Sequence, residues 1–337
     1  MTVNPQANFS RPAPPLKAGL SLMAIAAAGL AASAIYVRDE TIRAERDYPS
    51  TGKFMTVRGV RLHFIDTGGI EPVLVLLHGN GAMVADMEIS GLVGEAAKRY
   101  RVIVFDRPGY GYSERPRDRA WGPKDQADLF RQAFAQLGLV RPLVFGHSWG
   151  TQVAVTLALD HPDSVGGLVL ASGYYFPTLR ADGIMAAPAA TPVVGDLLRH
   201  TVSPLIGRLL APGVFRKMFA PQPVPRRFSA EFPVGLTLRP HQMRASSQET
   251  ALMVPAAAGL EGRYHGLRLP VSILAGGGDR IVDPEHQSIR LHAMIEQSEL
   301  RVLPGLGHMI HYFATDQVVR AIDSVSARAE SLSLVVG

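Results

Sequence analysis

The sequence predicts an α/β protein: a mainly parallel central sheet flanked by helices, with an inserted helical cap and an N-terminal apolar helix. Three observations predict it. Short apolar runs alternate with helix-patterned stretches along most of the chain. A glycine-flanked serine sits where one such run gives way to a helix. A long proline-bearing interval then breaks the alternation once.

The apolar runs cover residues 61–66, 72–77, 101–105, 142–145, 166–170, 271–275 and 300–303, and each has the length of a buried strand. Helical patterns lie between most of them, at 85–100, 123–137, 149–159, 284–297 and 315–329. Strand–helix alternation of this kind gives a parallel sheet covered on both faces, here assigned to 51–175 and 267–330. Between them, residues 176–266 contain Pro221-Gln222-Pro223-Val224-Pro225 and a helical piece at 194–210. A structureless loop of that length does not fit a compact domain, so the interval reads as a cap, or lid, inserted into the core.

Ahead of the core, residues 18–37 form a charge-free run of twenty residues, enough as a helix to span roughly 30 Å of hydrocarbon. A cleaved secretory signal is the rival, with Arg11 and Lys17 as its positive region and Ala32-Ser33-Ala34 as a small-residue site, and a buried helix of a soluble protein is a third reading. The run continues through Ile35, Tyr36 and Val37, which favours an uncleaved anchor. The expectation is a single-pass N-terminal membrane anchor after a tail at 1–17 and before a linker at 38–50, with a secreted or periplasmic protein as the alternative. Arg11 and Lys17 face Arg38, Arg43 and Arg46 across the run, so the positive-inside rule leaves orientation open.

A chain of 337 residues, 47% hydrophobic and 19% charged, can bury a sizeable core and is not compositionally disordered. The net charge of +5 raises the question of nucleic acid, but no segment interleaves aromatics with clustered Lys and Arg. Residues 176–266 hold ten Lys and Arg against five Asp and Glu, which is the whole excess. That excess suits an anionic substrate, an anionic lipid surface, or simply a solvated face. Cysteine is absent, which excludes disulfides, thiolate nucleophiles and Cys-ligated zinc.

The chemistry is carried by Gly146-His147-Ser148-Trp149-Gly150, a G-x-S-x-G pattern between a strand and a helix. A serine in a strained turn projects its hydroxyl above the sheet, and side chains at either glycine would strike neighbouring backbone. Serine needs a base, and the base needs an orienting acid. His308 follows the last strand and precedes the last helix, whereas His63, His78, His161, His200 and His286 lack that placement and read as packing or surface residues. Asp279 comes just past the strand 271–275 through a glycine turn, and Asp283, ahead of Pro284, competes with it but suits a helix N-cap. The order Ser148, Asp279, His308 is one known triad order, and loops at the carboxyl ends of parallel strands converge. His78-Gly79-Asn80-Gly81 follows the strand 72–77, and a backbone N–H from Asn80, or else Gly81, with that of Trp149 would make a two-donor oxyanion hole.

With these motifs the chain resembles the α/β-hydrolase superfamily, in its capped serine-hydrolase branch, over about residues 52–329. Phe105-Asp106-Arg107-Pro108-Gly109-Tyr110-Gly111-Tyr112-Ser113 adds to the likeness, and the resemblance implies a structural role for Asp106. Dehalogenases and epoxide hydrolases among the capped members of the superfamily use aspartate at the elbow, so Ser148 argues against those chemistries. Some dehalogenases take their acid after the sixth strand, but Ala171-Ser172-Gly173-Tyr174-Tyr175 offers no carboxylate there. The expectation is a serine hydrolase without metal or cofactor, cleaving an ester or related acyl bond of a small molecule. Peptidase, perhydrolase or carbon–carbon hydrolase activity on the same triad is the alternative, as is a non-catalytic, membrane-tethered binding protein. Nothing in the sequence indicates the oligomeric state.

Overall fold

The structure, a computed structural model, describes residues 16–69, 72–178 and 190–336. Strands β1 (Lys53–Val57), β2 (Val60–Asp66), β3 (Val73–Leu77), β4 (Arg101–Phe105), β5 (Leu143–His147), β6 (Gly167–Ala171), β7 (Val271–Gly276) and β8 (Ser298–Leu303) form one sheet. Their order is β1-β2-β4-β3-β5-β6-β7-β8, antiparallel at β1–β2 and β2–β4 and parallel elsewhere. All seven expected strands are present within a few residues of their sequence bounds. The eighth, β1, is half-exposed and carries no continuous apolar run, so hydrophobicity alone does not reveal it. It forms because Arg58 and Gly59 both take positive φ, 51° and 78°, the backbone of a two-residue hairpin turn.

Strands β3, β5, β6 and β7 are buried along their whole length, as strands covered on both faces must be. Alternation divides β3 between two cores: Val73, Val75 and Leu77 pack with Phe105, Phe130, Phe134 and Val153, while Leu74 and Leu76 pack with Phe145, Ile322 and Val325. The first core lies under α4 (Pro123–Gln136) and α5 (Trp149–Asp160), the second under the long C-terminal helix Thr315–Val336. The helix expected at 85–100 is two pieces, α2 (Val84–Ile89) and α3 (Leu92–Ala96), because Gly91 takes φ 84° between them. The helix expected at 284–297 is a π-helical turn, Glu285–Ile289, running into Arg290–His292.

Between β6 and β7 the described chain is helical: α6 (Val194–His200), α7 (Ser203–Phe219), α8 (Arg226–Glu231), α9 (Val234–Thr237) and α10 (Pro240–Leu260). The piece expected at 194–210 breaks at Thr201-Val202, and residues 179–189 of the interval lie outside the described residues.

At the N-terminus α1 runs from Leu16 to Asp47 without interruption. The stretch read as a linker is therefore largely helical, as its Arg, Glu and Ala content favours, with Glu40 and Arg43 paired at 2.6 Å. Among the described residues no helix is long and apolar enough to cross a membrane. The side chains of residues 18–22, the first part of the expected span, lie outside the described residues, as does the tail at 1–15.

Candidate active site

Parallel pairing sets the ends of β3, β5, β6, β7 and β8 at one edge, with Leu77 beside Gly146, His147 beside Ala171 and Gly276 beside Leu303. Ser148 follows β5 directly and takes φ 52°, ψ −120°, a conformation L-residues rarely adopt. The flanking glycines are required by space. A Cβ at Gly146 would lie 2.7 Å from the Gly150 carbonyl oxygen, and one at Gly150 would lie 2.8 Å from that of His78 and closer still to that of Leu77. The turn is held by Ser148 N–H donating to Ala171 (2.9 Å) and by the Thr151 hydroxyl donating to the Ser148 carbonyl (2.6 Å).

His308 and Asp279 meet as the sequence suggests: His308 Nδ1 is 2.7 Å from Asp279 Oδ2, and both side chains are buried. Asp279 Oδ1 accepts the N–H groups of Ile281 (2.7 Å) and Val282 (3.0 Å), which fixes the carboxylate. Asp283 instead accepts Glu285 N–H at 3.0 Å and contacts the exposed His286 at 2.5 Å. It does not reach His308. No hydrogen bond joins Ser148 Oγ to His308 among the described residues, and His308 Nε2 is the ring nitrogen that Asp279 leaves free.

The backbone N–H groups of Asn80 and Trp149 take no partner among the described hydrogen bonds. The Asn80 side chain is fully engaged and does not serve as a donor to the site. Its amide donates to Thr250 Oγ1 (2.8 Å) and the Ser246 carbonyl (3.2 Å) of α10, and its oxygen accepts the Tyr110 hydroxyl (2.9 Å). A Cβ at Gly79 would lie 3.1 Å from that of Ser148, so this loop passes tightly over the serine.

Sequence reasoning missed the group that holds the loop. Arg107, Glu249 and Tyr110 are all completely buried. Arg107 makes two bonds to Glu249 (2.6 and 3.0 Å) and also donates to the carbonyls of His78 (2.7 Å) and Gly79 (3.0 Å). The Tyr110 hydroxyl lies 2.7 Å from Glu249 and shares its one proton between that carboxylate and the Asn80 oxygen, and Arg115 lies 3.6 Å from the same carboxylate. Burial alone would raise the Glu249 carboxyl, but Arg107 and Arg115 outweigh it and hold it below its ordinary value. The cap helix is thereby locked to the loop bearing Asn80. Arg107 and Tyr110 lie in the 105–113 motif, but nothing in the polar stretch around Glu249 points to them, and the pairing spans 142 residues. Asp106 is structural, as the resemblance implied: it accepts Val84 N–H (2.8 Å) and Tyr112 N–H (2.9 Å) and meets His63 Nδ1 at 2.6 Å.

His147 was also missed. Its Nε2–H donates to the His308 carbonyl at 3.1 Å, leaving Nδ1 buried without a partner among the described residues. Burial first, then the neighbouring His311 and His308, push it well below the usual histidine range, so it stays neutral. Asp86, His147 and His311 are buried with ligand-type atoms within 4.8 Å of one another. Both Asp86 oxygens are already engaged, by the Tyr312 hydroxyl at 2.8 Å and His311 Nε2 at 3.3 Å, while His147 meets the His311 ring edge-on at 4.5 Å and is the member of the group that bonds to His308. A cavity of about 420 Å³ beside the end of α1 is lined by Tyr48, His63, Glu88 and Tyr112, and by none of Ser148, Asp279 and His308.

Residues 72–315 match the family described as alpha/beta hydrolase fold. Among curated proteins the chain is 26% identical over 288 residues to haloalkane dehalogenase 2 of Mycobacterium tuberculosis (82% of this chain, 94% of that one). It is 32% identical over 275 residues to the magnesium-chelatase 30 kDa subunit of Rhodobacter capsulatus (75% and 86%). It is 27% identical over 284 residues to 2-hydroxymuconate semialdehyde hydrolase of Pseudomonas sp. CF600 (79% and 90%). Among solved structures the enol-lactonase of Burkholderia xenovorans LB400 shares the fold with TM-score 0.68 at 18% identity, over 82% of this chain and all of that one. The chain therefore belongs to the alpha/beta hydrolase fold family and is a hydrolase of that family.

Proposed function

We propose that the protein is a serine hydrolase that cleaves an ester or related acyl bond through a covalent acyl-enzyme. Ser148 attacks the acyl carbon while His308 Nε2 takes its proton, and Asp279 holds the histidine tautomer that leaves Nε2 free. The N–H groups of Asn80 and Trp149 receive the oxyanion. His308 then returns the proton to the leaving group, and water, activated in the same way, releases the acid and restores Ser148. The observation that carries this reading is the 2.7 Å His308–Asp279 pair at the sheet edge where Ser148 stands in a positive-φ elbow. A serine at the elbow supports acyl transfer over the halide displacement named for one relative.

The test is labelling of the intact protein with a serine-directed phosphonate, followed by hydrolysis of esters of graded chain length. Unlabelled Ser148 and no ester turnover would overturn the proposal. A second reading, carbon–carbon hydrolysis on the same residues, is favoured by the likeness to 2-hydroxymuconate semialdehyde hydrolase. It predicts turnover of a ring-fission diketone above that of any ester. Attachment to a membrane through the N-terminal apolar helix belongs to the proposal and is tested by membrane partition of the full chain.

A further inference from the structure

The described part of α1 has two halves of opposite character. From Ser33 onward it packs on the cap: the Ser33 hydroxyl donates to the Thr201 carbonyl (2.9 Å), Val37 and Ala44 are buried, and Glu40 and Glu45 meet Arg208 (2.5 Å) and Arg239 (2.9 Å). A Cβ at Gly235 of α9 would lie 2.9 Å from that of Ala44, so the two helices touch at backbone range. From Met23 to Ala32, by contrast, every residue is exposed and none is polar. A helix that is apolar all round is at home only in apolar surroundings.

The cap repeats the anomaly beside it. Leu205, Ile206, Leu209, Leu210 and Val214 of α7 are all exposed, Leu209 to 80%, at the i, i+4 spacing that makes a stripe. A helix on a globular body normally turns such a stripe inward, and a patch of this kind marks an interaction. Arg216 and Lys217 are exposed on the same helix, beside the Arg208 that pairs with Glu40, in a cap that carries the chain's whole positive excess. The stripe and the bare half of α1 meet at Thr201, where α6 and α7 join and where Ser33 is bonded. At its other end α7 reaches the catalytic loops: a Cβ at Gly278 would lie 3.1 Å from Pro221, and Gln222 accepts Gly307 N–H at 3.2 Å.

We propose that the apolar stripe of α7, together with Met23 to Ala32 of α1, docks on an anionic lipid bilayer. The stripe enters the headgroup region, the basic side chains meet anionic lipid, and α7 links that surface to the loops of Asp279 and His308. The substrate class follows: an acyl ester that partitions into lipid. This last step rests on the hydrolase reading, whereas the docking does not.

Because the chain has no cysteine, a single thiol reports unambiguously. Leu209→Cys and, as control, Val140→Cys, 76% exposed in the turn before β5 at the opposite sheet edge, are labelled with a polarity-sensitive fluorophore. The full chain is then reconstituted into phosphatidylcholine–phosphatidylglycerol vesicles carrying doxyl-lipid quencher. The expected result is quenching at 209 and none at 140. Equal quenching at the two sites overturns the proposal, as does shielding of 209 that rises with protein concentration without lipid, which would mean a second copy. In the triple variant Ile206→Glu, Leu209→Glu, Leu210→Glu, turnover of a soluble short-chain ester persists and that of a vesicle-borne long-chain ester falls roughly a hundred-fold. Equal effects on both esters overturn the substrate class, and failure of phosphonate labelling removes the hydrolase reading while the quenching result stands.

Discussion

His308 and Asp279 are joined at 2.7 Å, and the other oxygen of the same carboxylate is fixed by two backbone N–H groups. The imidazole is thus oriented by a group that cannot rotate away. In the proposed mechanism Asp279→Asn lowers turnover by roughly ten-thousand-fold, the cost of a wrong histidine tautomer in a serine protease. Asp283→Ala removes the acceptor for Glu285 N–H and the exposed contact with His286, costs roughly 0.5–2 kcal/mol, and leaves turnover within about tenfold. Melting curves and ester kinetics on both variants check this, and an inactive Asp283→Ala beside an active Asp279→Asn reverses the assignment.

Ser148→Ala abolishes phosphonate labelling without unfolding the protein, since it deletes a hydroxyl rather than core volume. Ser148→Gly is equally inactive but more stable than Ser148→Ala, because φ 52°, ψ −120° costs an L-residue on the order of 1–3 kcal/mol that glycine escapes. Denaturant unfolding of the two variants measures the difference, and a less stable glycine variant refutes the strain.

Glu249→Ala leaves Arg107 and Arg115 buried without their counter-charge and destabilises the fold by roughly 3–5 kcal/mol. Because Arg107 also holds the His78 and Gly79 carbonyls, the milder Glu249→Gln lowers kcat more than it raises KM. A change in KM alone would show that the cluster supports the cap and not the oxyanion loop.

Stability falls on acidification before carboxylates titrate. His78 is completely buried, and burial, with the Arg107 charge, depresses it to about 4 from the ordinary 6.5. Between those values the unfolded chain binds a proton that the folded chain refuses, so the neutral ring's contribution is full above 6.5 and is lost as pH falls toward 4. The loss from His78 is on the order of 3 kcal/mol, and His147 adds to it in the same direction. Unfolding free energy measured across this range checks the sign, and a flat profile contradicts it.

The sequence by itself determined the α/β class and seven of the eight strands, because a strand buried on both faces must be continuously apolar and a short apolar run needs no partner to be recognised. It also placed Ser148, since glycines that no side chain could replace mark the elbow locally, and it put Asp279 and His308 on loops that a parallel sheet gathers at one edge. Strand β1 was legible only in its turn, Arg58-Gly59, and not in its hydrophobicity. Tertiary structure alone decided the rest. Glu249 finds Arg107 and Tyr110 across the cap boundary, and His147 supports His308 from behind, through contacts between residues far apart in sequence whose polar character carries no periodic signal. The charged stretch after the apolar run reads as a linker in one dimension. Its helix continues because Val37, Ala44, Glu40 and Glu45 find a surface on the cap, and packing of a face against the body, more than local propensity, is what stabilises a helix in a protein.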